Sequence, residues 1–247
     1  MLVLHHCSDA RSLRPLWILE EMRLPYELRM LPFPPRATAP DYLAINPLGT
    51  IPLLEDGEVR MTESAAICQY LVSHYGPSPL NVTPEEPGYA AFLNGLHFGE
   101  ATLTFPQTLV LRYRRQEPPE RRLPQVAEDY ERWFLSRLRK GLGTLEHGFY
   151  AAGRFTVADV SIGYALLLAS KLGLDMQFTS EVVAYWARLS TRPGYRRAQE
   201  AQQAAMATQN VLPTDFGGLL PSEHFGVHIR SAMAGAPESG GTKNPTP

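Results

Sequence analysis

The sequence is poor in the features that would place it in several broad classes. Cysteine is scarce: Cys7 and Cys68 are the two in 247 residues. That is too few for a disulfide scaffold and lacks the paired spacing of a zinc site, so both are read as reduced thiols and no metal is expected. No apolar run is long enough to cross a bilayer, and Met1 to Asp9 holds no charged segment followed by an apolar stretch of signal-peptide length. No membrane association and a cytoplasmic location are therefore expected. Charge of one sign is also missing, since the formal net charge is -2. Such a chain has no long-range field to draw in nucleic acid, and no nucleic-acid partner is expected.

What is present divides the chain in two. Leu2-Val3-Leu4-His5 is short, apolar and β-branched, as a buried strand is. Leu13, Leu16, Trp17, Glu20 and Glu21 keep helical spacing, and the helix must stop near Leu24 because Pro25 biases the residue before it away from helix. Tyr26 to Leu31 alternates as a second strand, closed off by Pro32, Pro34 and Pro35. A short helical stretch around Asp41 to Ile45 precedes the turn cluster Asn46-Pro47-Leu48-Gly49-Thr50. Ile51 to Met61 then reads as two strands joined by Asp56-Gly57, and Glu63 to Leu71 as a helix ended by Gly76 and Pro77.

The resulting order, βαβαββα, is thioredoxin-like, and residues 1–78 are assigned to that domain. A linker from Pro79 to Pro87 separates it from an all-helical domain over 88–221. Helical patterns there cover Gly88–Arg115, Pro124–Glu146, Val157–Leu172 and Ser180–Arg188. From Ser222 to Pro247 the composition turns to Gly, Ser, Pro and Ala, and this tail is expected to be mobile. The fold class is thus α/β plus all-α.

Two features point to chemistry. Glu63-Ser64 opens a helix directly after the hairpin, where free backbone donors and the positive dipole end suit a carboxylate, with the Ser64 hydroxyl as a further donor and Glu63 as a partner for an ammonium. Both residues also serve simply as good first-turn residues. Ile51-Pro52 stands just ahead of a strand, where a cis bond would present the Ile51 backbone to an extended peptide, although most such prolines only shape a turn. His5 and His6 point to opposite faces of a strand and receive no joint role. Arg112, Arg114, Arg115, Arg121 and Arg122 are read as a solvated face.

The run Asn46 to Gly57, continued by Thr62-Glu-Ser-Ala-Ala-Ile67, resembles the glutathione-binding segment of cytosolic glutathione transferases. Arg11-Ser-Leu-Arg-Pro-Leu-Trp-Ile-Leu-Glu-Glu21 resembles their first helix, and Phe155-Thr-Val-Ala-Asp-Val160 the buried helix start of their second domain. The resemblance covers about residues 1–200. It implies that Pro52 is a cis-proline, that Ile51 pairs with the cysteinyl backbone of glutathione, and that Glu63 and Ser64 hold its γ-glutamyl end. It also implies transfer of the glutathione thiolate to a small apolar electrophile in detoxification, with glutathione as co-substrate, no additional cofactor, and a homodimer. Phe98, Phe105, Leu109 and Tyr113, with Glu100 and Arg112, lie where the family lines its electrophile pocket, and equally suit core or dimer contact.

The family commonly carries Ser, Tyr or Cys at the head of the first helix to stabilise the thiolate. Aligned on Arg14 and Trp17, that position falls on Ala10. The task then passes to Ser12, Ser8 or backbone N–H groups, with Arg11 supplying charge nearby. Cys7 offers an alternative, a mixed disulfide with glutathione, although a buried thiol accounts for it as well. Reduction, isomerisation or ether cleavage with glutathione, and a non-catalytic binding role, remain open beside transfer. Thr156 and Asp159 have capping-box spacing and Phe155 with Val160 the spacing of a hydrophobic staple, so Asp159 is read as structural.

Overall fold

The computed structural model describes residues 1–143, 145 and 147–216. The expected tail over 222–247, with 217–221 of the expected helical domain, lies outside the described residues. Strand β1 (Leu2–His6) is buried along its whole length, as a strand flanked on both sides must be. It pairs in parallel with β2 (Tyr26–Met30) and antiparallel with β3 (Leu53–Asp56), which pairs antiparallel with β4 (Val59–Met61). The sheet order is therefore β2-β1-β3-β4, and Leu4 lies opposite both Leu28 and Leu54. Gly57 takes φ +60° in the tight Asp56–Val59 turn, a left-handed conformation that glycine adopts without cost.

Helix α1 (Leu13–Met22) ends where Arg23 turns left-handed at φ 54°, two residues ahead of Pro25. The prolines after β2 do more than close the strand. Pro35 occupies the first turn of a short α2 (Pro35–Thr38), where its missing N–H costs nothing, and α3 (Tyr42–Ile45) comes next. Helix α4 (Ser64–His74) packs against α1 and completes a thioredoxin-like half.

The second half is helical throughout. Helix α5 (Tyr89–His97) leads into a π-helical turn at Phe98–Thr104, then α6 (Phe105–Leu111) and a second π turn at Arg112–Gln116. The uniform helix expected over 88–115 is therefore rewound twice. Helix α7 (Pro124–Gly141) stops short of the expected Glu146, with Leu142 leaving helical geometry beside two glycines, the poorest helix formers after proline. Helices α8 (Val157–Leu172) and α9 (Ser180–Ser190) fall close to expectation. Helix α10 (Pro193–Gln209) was not expected, because its buried positions are Gly194, Ala198 and Gln202 rather than large apolar residues. The arginine cluster is more than a solvated face, although Arg121 stays exposed. Arg112 pairs with Glu117 and Arg114 with Glu131, and Arg115 donates to the carbonyls of Lys171 and Leu172 at the end of α8.

Helix α8 is almost wholly buried, and its start carries the capping box: Thr156 N–H donates to Asp159 Oδ2 at 2.8 Å. Asp159 Oδ1 also accepts from Tyr150 N–H at 2.9 Å and the Tyr185 hydroxyl at 2.7 Å, which confirms a structural role for this carboxylate. The two halves share one continuous core, with α1 packed against both α8 and α10. Trp17 lies at that junction, its ring 5.8 Å from Phe155 and 4.8 Å from Tyr195. Removing it leaves a cavity between the halves. Trp17→Ala is expected to lower unfolding stability by about 3–5 kcal/mol, measured by urea denaturation.

Candidate active site

A cavity of about 380 Å³ opens between the halves. Ala10 and Arg11, Phe33 and Arg36, and Gly49 to Ile51 form its thioredoxin-like side. Phe105, Leu109 and Arg112 face them from the α6 region, with Tyr164 and Leu168 of α8 and Phe216 beyond α10. The walls are mostly apolar, and among the described residues every charged side chain on them is an arginine.

Behind this wall sits a partly buried ion cluster. Glu100, carried by the first π turn, accepts from Arg11 Nε at 2.6 Å and pairs through its other oxygen with Arg14. Arg14 is fully buried on the apolar side of α1. Its remaining donors go to Thr104 Oγ1 at 2.7 Å, the Ser161 carbonyl at 3.2 Å and Ser64 Oγ at 3.1 Å, and its guanidinium lies 4.4 Å from the centre of the Tyr164 ring. Burial raises the pKa of Glu100, but the two guanidiniums together outweigh it and hold the carboxyl below its ordinary value.

The segment between β1 and α1 is fixed from the far end of the chain. Gln202 of α10 donates to Asp9 Oδ1 at 2.9 Å, which turns its oxygen towards Asp9 N–H at 3.2 Å and His6 Nε2 at 2.9 Å. An amide oxygen only accepts, so His6 Nε2 carries the proton and Nδ1 accepts from the Ser12 hydroxyl at 2.7 Å. Lys171 of α8 completes the arrangement on Asp9 Oδ2 at 2.7 Å. The proton of Ser12 is thus committed to the interior. Ser12 is fully buried and Ser8 nearly so, and neither is on the cavity wall. Of the residues considered for thiolate stabilisation, Ser8 and Ser12 therefore lie off the cavity wall, whereas Ala10 and Arg11 are on it. The backbone N–H groups of Arg11 and Ser12 find no acceptor among the described residues.

The Ile51–Pro52 peptide is cis, and Ile51 lines the cavity with neither its N–H nor its C=O paired among the described residues. Glu63 is exposed just ahead of α4, near enough to Arg11 for their charges to interact. Ser64, at the first position of α4, is buried under Arg14 rather than open on the cavity wall. Cys7 is fully buried, its thiol aimed at the Pro32 carbonyl at 3.6 Å and its pKa pushed well up by burial. Cys68 is likewise core, with its thiol pushed up by burial. Among the described residues, no three His, Cys, Asp or Glu side chains converge as metal ligands would.

The chain matches known proteins in sequence and in fold. Residues 10–74 match the family described as the glutathione S-transferase N-terminal domain. Glutathione S-transferase 3 of Schizosaccharomyces pombe is 40% identical over 106 residues, 42% of this chain and 43% of that protein. Glutathione S-transferase F10 of Arabidopsis thaliana is 30% identical over 167 residues, 64% of this chain and 76% of its own length. The chain belongs to the glutathione S-transferase family. Among solved structures, the ternary complex of BphK, a bacterial transferase, superposes with a TM-score of 0.72 at 22% identity, over 81% of this chain and 99% of the other. The transferase Ure2p5 of Phanerochaete chrysosporium, crystallised with 1-(S-glutathionyl)-2,4-dinitrobenzene, gives 0.69 at 22% identity, over 85% and 97%.

Within this glutathione S-transferase fold, the sequence did not point to Tyr164, Arg36, Phe33 or Gln202 as parts of the site. Arg14 carried one signal, a charged residue among the apolar positions 13, 16 and 17 of α1. Gln202 carried none, because its role depends on a loop nearly two hundred residues away.

The neutral His6 gives a measurable consequence. Its burial outweighs the hydrogen bond it donates to Gln202 and the charge of Asp9 and lowers its pKa from 6.5 to about 4. Below pH 6.5 the unfolded chain therefore binds a proton that the folded chain refuses until about pH 4. Stability from this group is complete above pH 6.5 and lost as pH falls through that window, by about 2–3 kcal/mol at pH 4.5. Urea unfolding at pH 7 and pH 4.5 is expected to show this loss in the wild type and a flatter dependence in His6→Gln.

Proposed function

We propose that the protein is a glutathione transferase that joins the glutathione thiolate to an apolar electrophile. The observation that carries this reading is the unpaired Ile51 backbone on the wall of a mostly apolar cavity, beside Arg11 and the head of α1. An extended tripeptide pairs with Ile51 through its cysteinyl backbone, places its γ-glutamyl end towards Glu63 and the first turn of α4, and directs its sulfur at Ala10 and Arg11.

Because Ala10 offers only a methyl group, thiolate stabilisation falls to the free N–H groups at the head of α1 and to the Arg11 guanidinium. Arg11 already shares Glu100, so its contribution is smaller than that of an unpaired charge. The thiolate attacks the electrophilic carbon, the S–C bond forms, and the leaving group departs with its electron pair. Proximity in the cavity supplies much of the acceleration. The cytoplasmic location and homodimer implied by the family complete this reading. Thiol transfer through Cys7 is disfavoured by its burial and raised pKa. A binding protein without catalysis is the second reading, and Ala10 is the observation that favours it.

Ultraviolet difference titration of bound glutathione separates the two. A thiolate forming about one pH unit or more below the free thiol, and displaced upward in Arg11→Gln, is the expected result. Glutathione that binds without ionising would sink the transferase reading and leave the binding protein. In calorimetric titration, Glu63→Ala combined with Ser64→Ala is expected to weaken glutathione binding about tenfold, and wild-type affinity would remove both residues from the site.

A further inference from the structure

We propose that Arg36 and Arg112 form an anion-binding subsite in the cavity, so that the accepted electrophile is an aromatic or apolar organic acid rather than a neutral molecule. Both arginines line the cavity, one from α2 and one from the second π turn, and among the described residues no carboxylate lines it with them. The cavity's three guanidiniums differ in how far they are already neutralised. Arg11 is held by Glu100. Arg112 is anchored from behind at 2.7 Å by Glu117, a carboxylate nearly closed off from solvent, which fixes its position. Arg36 has no hydrogen bond or ion pair among the described residues. It keeps surface open to solvent, yet the cavity wall still removes enough hydration, with the like charge of Arg112 adding to the effect, to lower its pKa.

Two like charges brought into a confined apolar space leave a position where an anion is favoured. Phe33, Phe105, Leu109 and Phe216 surround that position, and Phe105 is 54% exposed at the rim. An aromatic ring with one acidic substituent satisfies both requirements, its ring against these side chains and its carboxylate between the guanidiniums.

This inference rests on the transferase reading, and the test separates the two. The probes are 4-chloro-3,5-dinitrobenzoate and its neutral primary amide. In either, the thiolate displaces chloride: the S–C bond forms as the C–Cl bond breaks, and chloride carries away the bonding pair. After correction for the uncatalysed rates, wild-type kcat/KM is expected to favour the acid about tenfold or more, and Arg36→Gln with Arg112→Gln to bring the ratio close to one. Arg112→Lys, which keeps the charge, is expected to retain most of the preference.

Binding of the unreactive 3,5-dinitrobenzoate and 3,5-dinitrobenzamide, measured by calorimetry, does not depend on turnover. Charge-dependent, salt-sensitive binding of the acid that weakens about tenfold in the double variant supports the subsite even where neither chloro compound reacts, an outcome that defeats the transferase reading alone. Equal wild-type affinity for acid and amide overturns the subsite. A double variant that binds glutathione more weakly, but not its glycine monoethyl ester, with the acid-to-amide ratio unchanged, also overturns it, since the arginines would then serve the glycine carboxylate of glutathione.

Discussion

Glu100 sits between Arg11 and Arg14, and the geometry of the site depends on that triad. Arg14 points from α1 into the helical half, Arg11 points towards the cavity, and one carboxylate in the π turn after α5 receives both. A fully buried guanidinium is tolerable only when its donors are all occupied, and the Thr104 hydroxyl, the Gly99 and Ser161 carbonyls and Ser64 Oγ occupy the remainder. The triad therefore ties the head of α1, the head of α4 and the core helix α8 into one unit. Removing a partner from such a buried pair costs about 3–5 kcal/mol, mostly as the penalty of a stranded charge. Its value here lies in position: it fixes Arg11 on the cavity wall while drawing Ser64 inward.

The π turn matters to this arrangement because one inserted residue rotates every side chain beyond it about the helix axis. Glu100 lies within the first turn and Arg112 at the start of the second, so the two charged groups that the helical half brings to bear on the cavity come from rewound backbone. Such turns recur at functional positions for this reason. On the other side, α10 reaches back across the sheet end to hold Asp9 and His6 through a single amide, while Lys171 holds the same Asp9 from α8. The loop that presents Ala10 is thus braced by two helices of the second half. That bracing also accounts for the inward turn of Ser12, whose hydroxyl completes the hydrogen bonds of a neutral histidine.

Much of the thioredoxin-like half was legible because its signals are local. Strand alternation in 26–31, the Asp56-Gly57 turn and the prolines at 25 and 52 each act within a few residues, and the structure places elements where those signals fall. The Thr156–Asp159 capping box was legible for the same reason. The helical half was read less well where periodicity carries no information: the π turns leave an apolar pattern much like that of an ordinary helix, and α10 buries alanine, glycine and glutamine.

By itself the sequence determined the two-part architecture, the segment 46–67 and the absence of a hydroxyl at position 10, since each is a matter of residue type and near-neighbour spacing. Which groups face the cavity was decided only by tertiary structure. Ser12 and Arg11 are adjacent in sequence, yet one is drawn inward by His6 and the other is held at the wall by Glu100. Arg36 and Arg112 line one cavity because the two halves pack against each other, and Gln202 reaches Asp9 because α10 folds back over the sheet. Side-chain direction in such cases is set by partners distant in the chain, and local pattern cannot encode it.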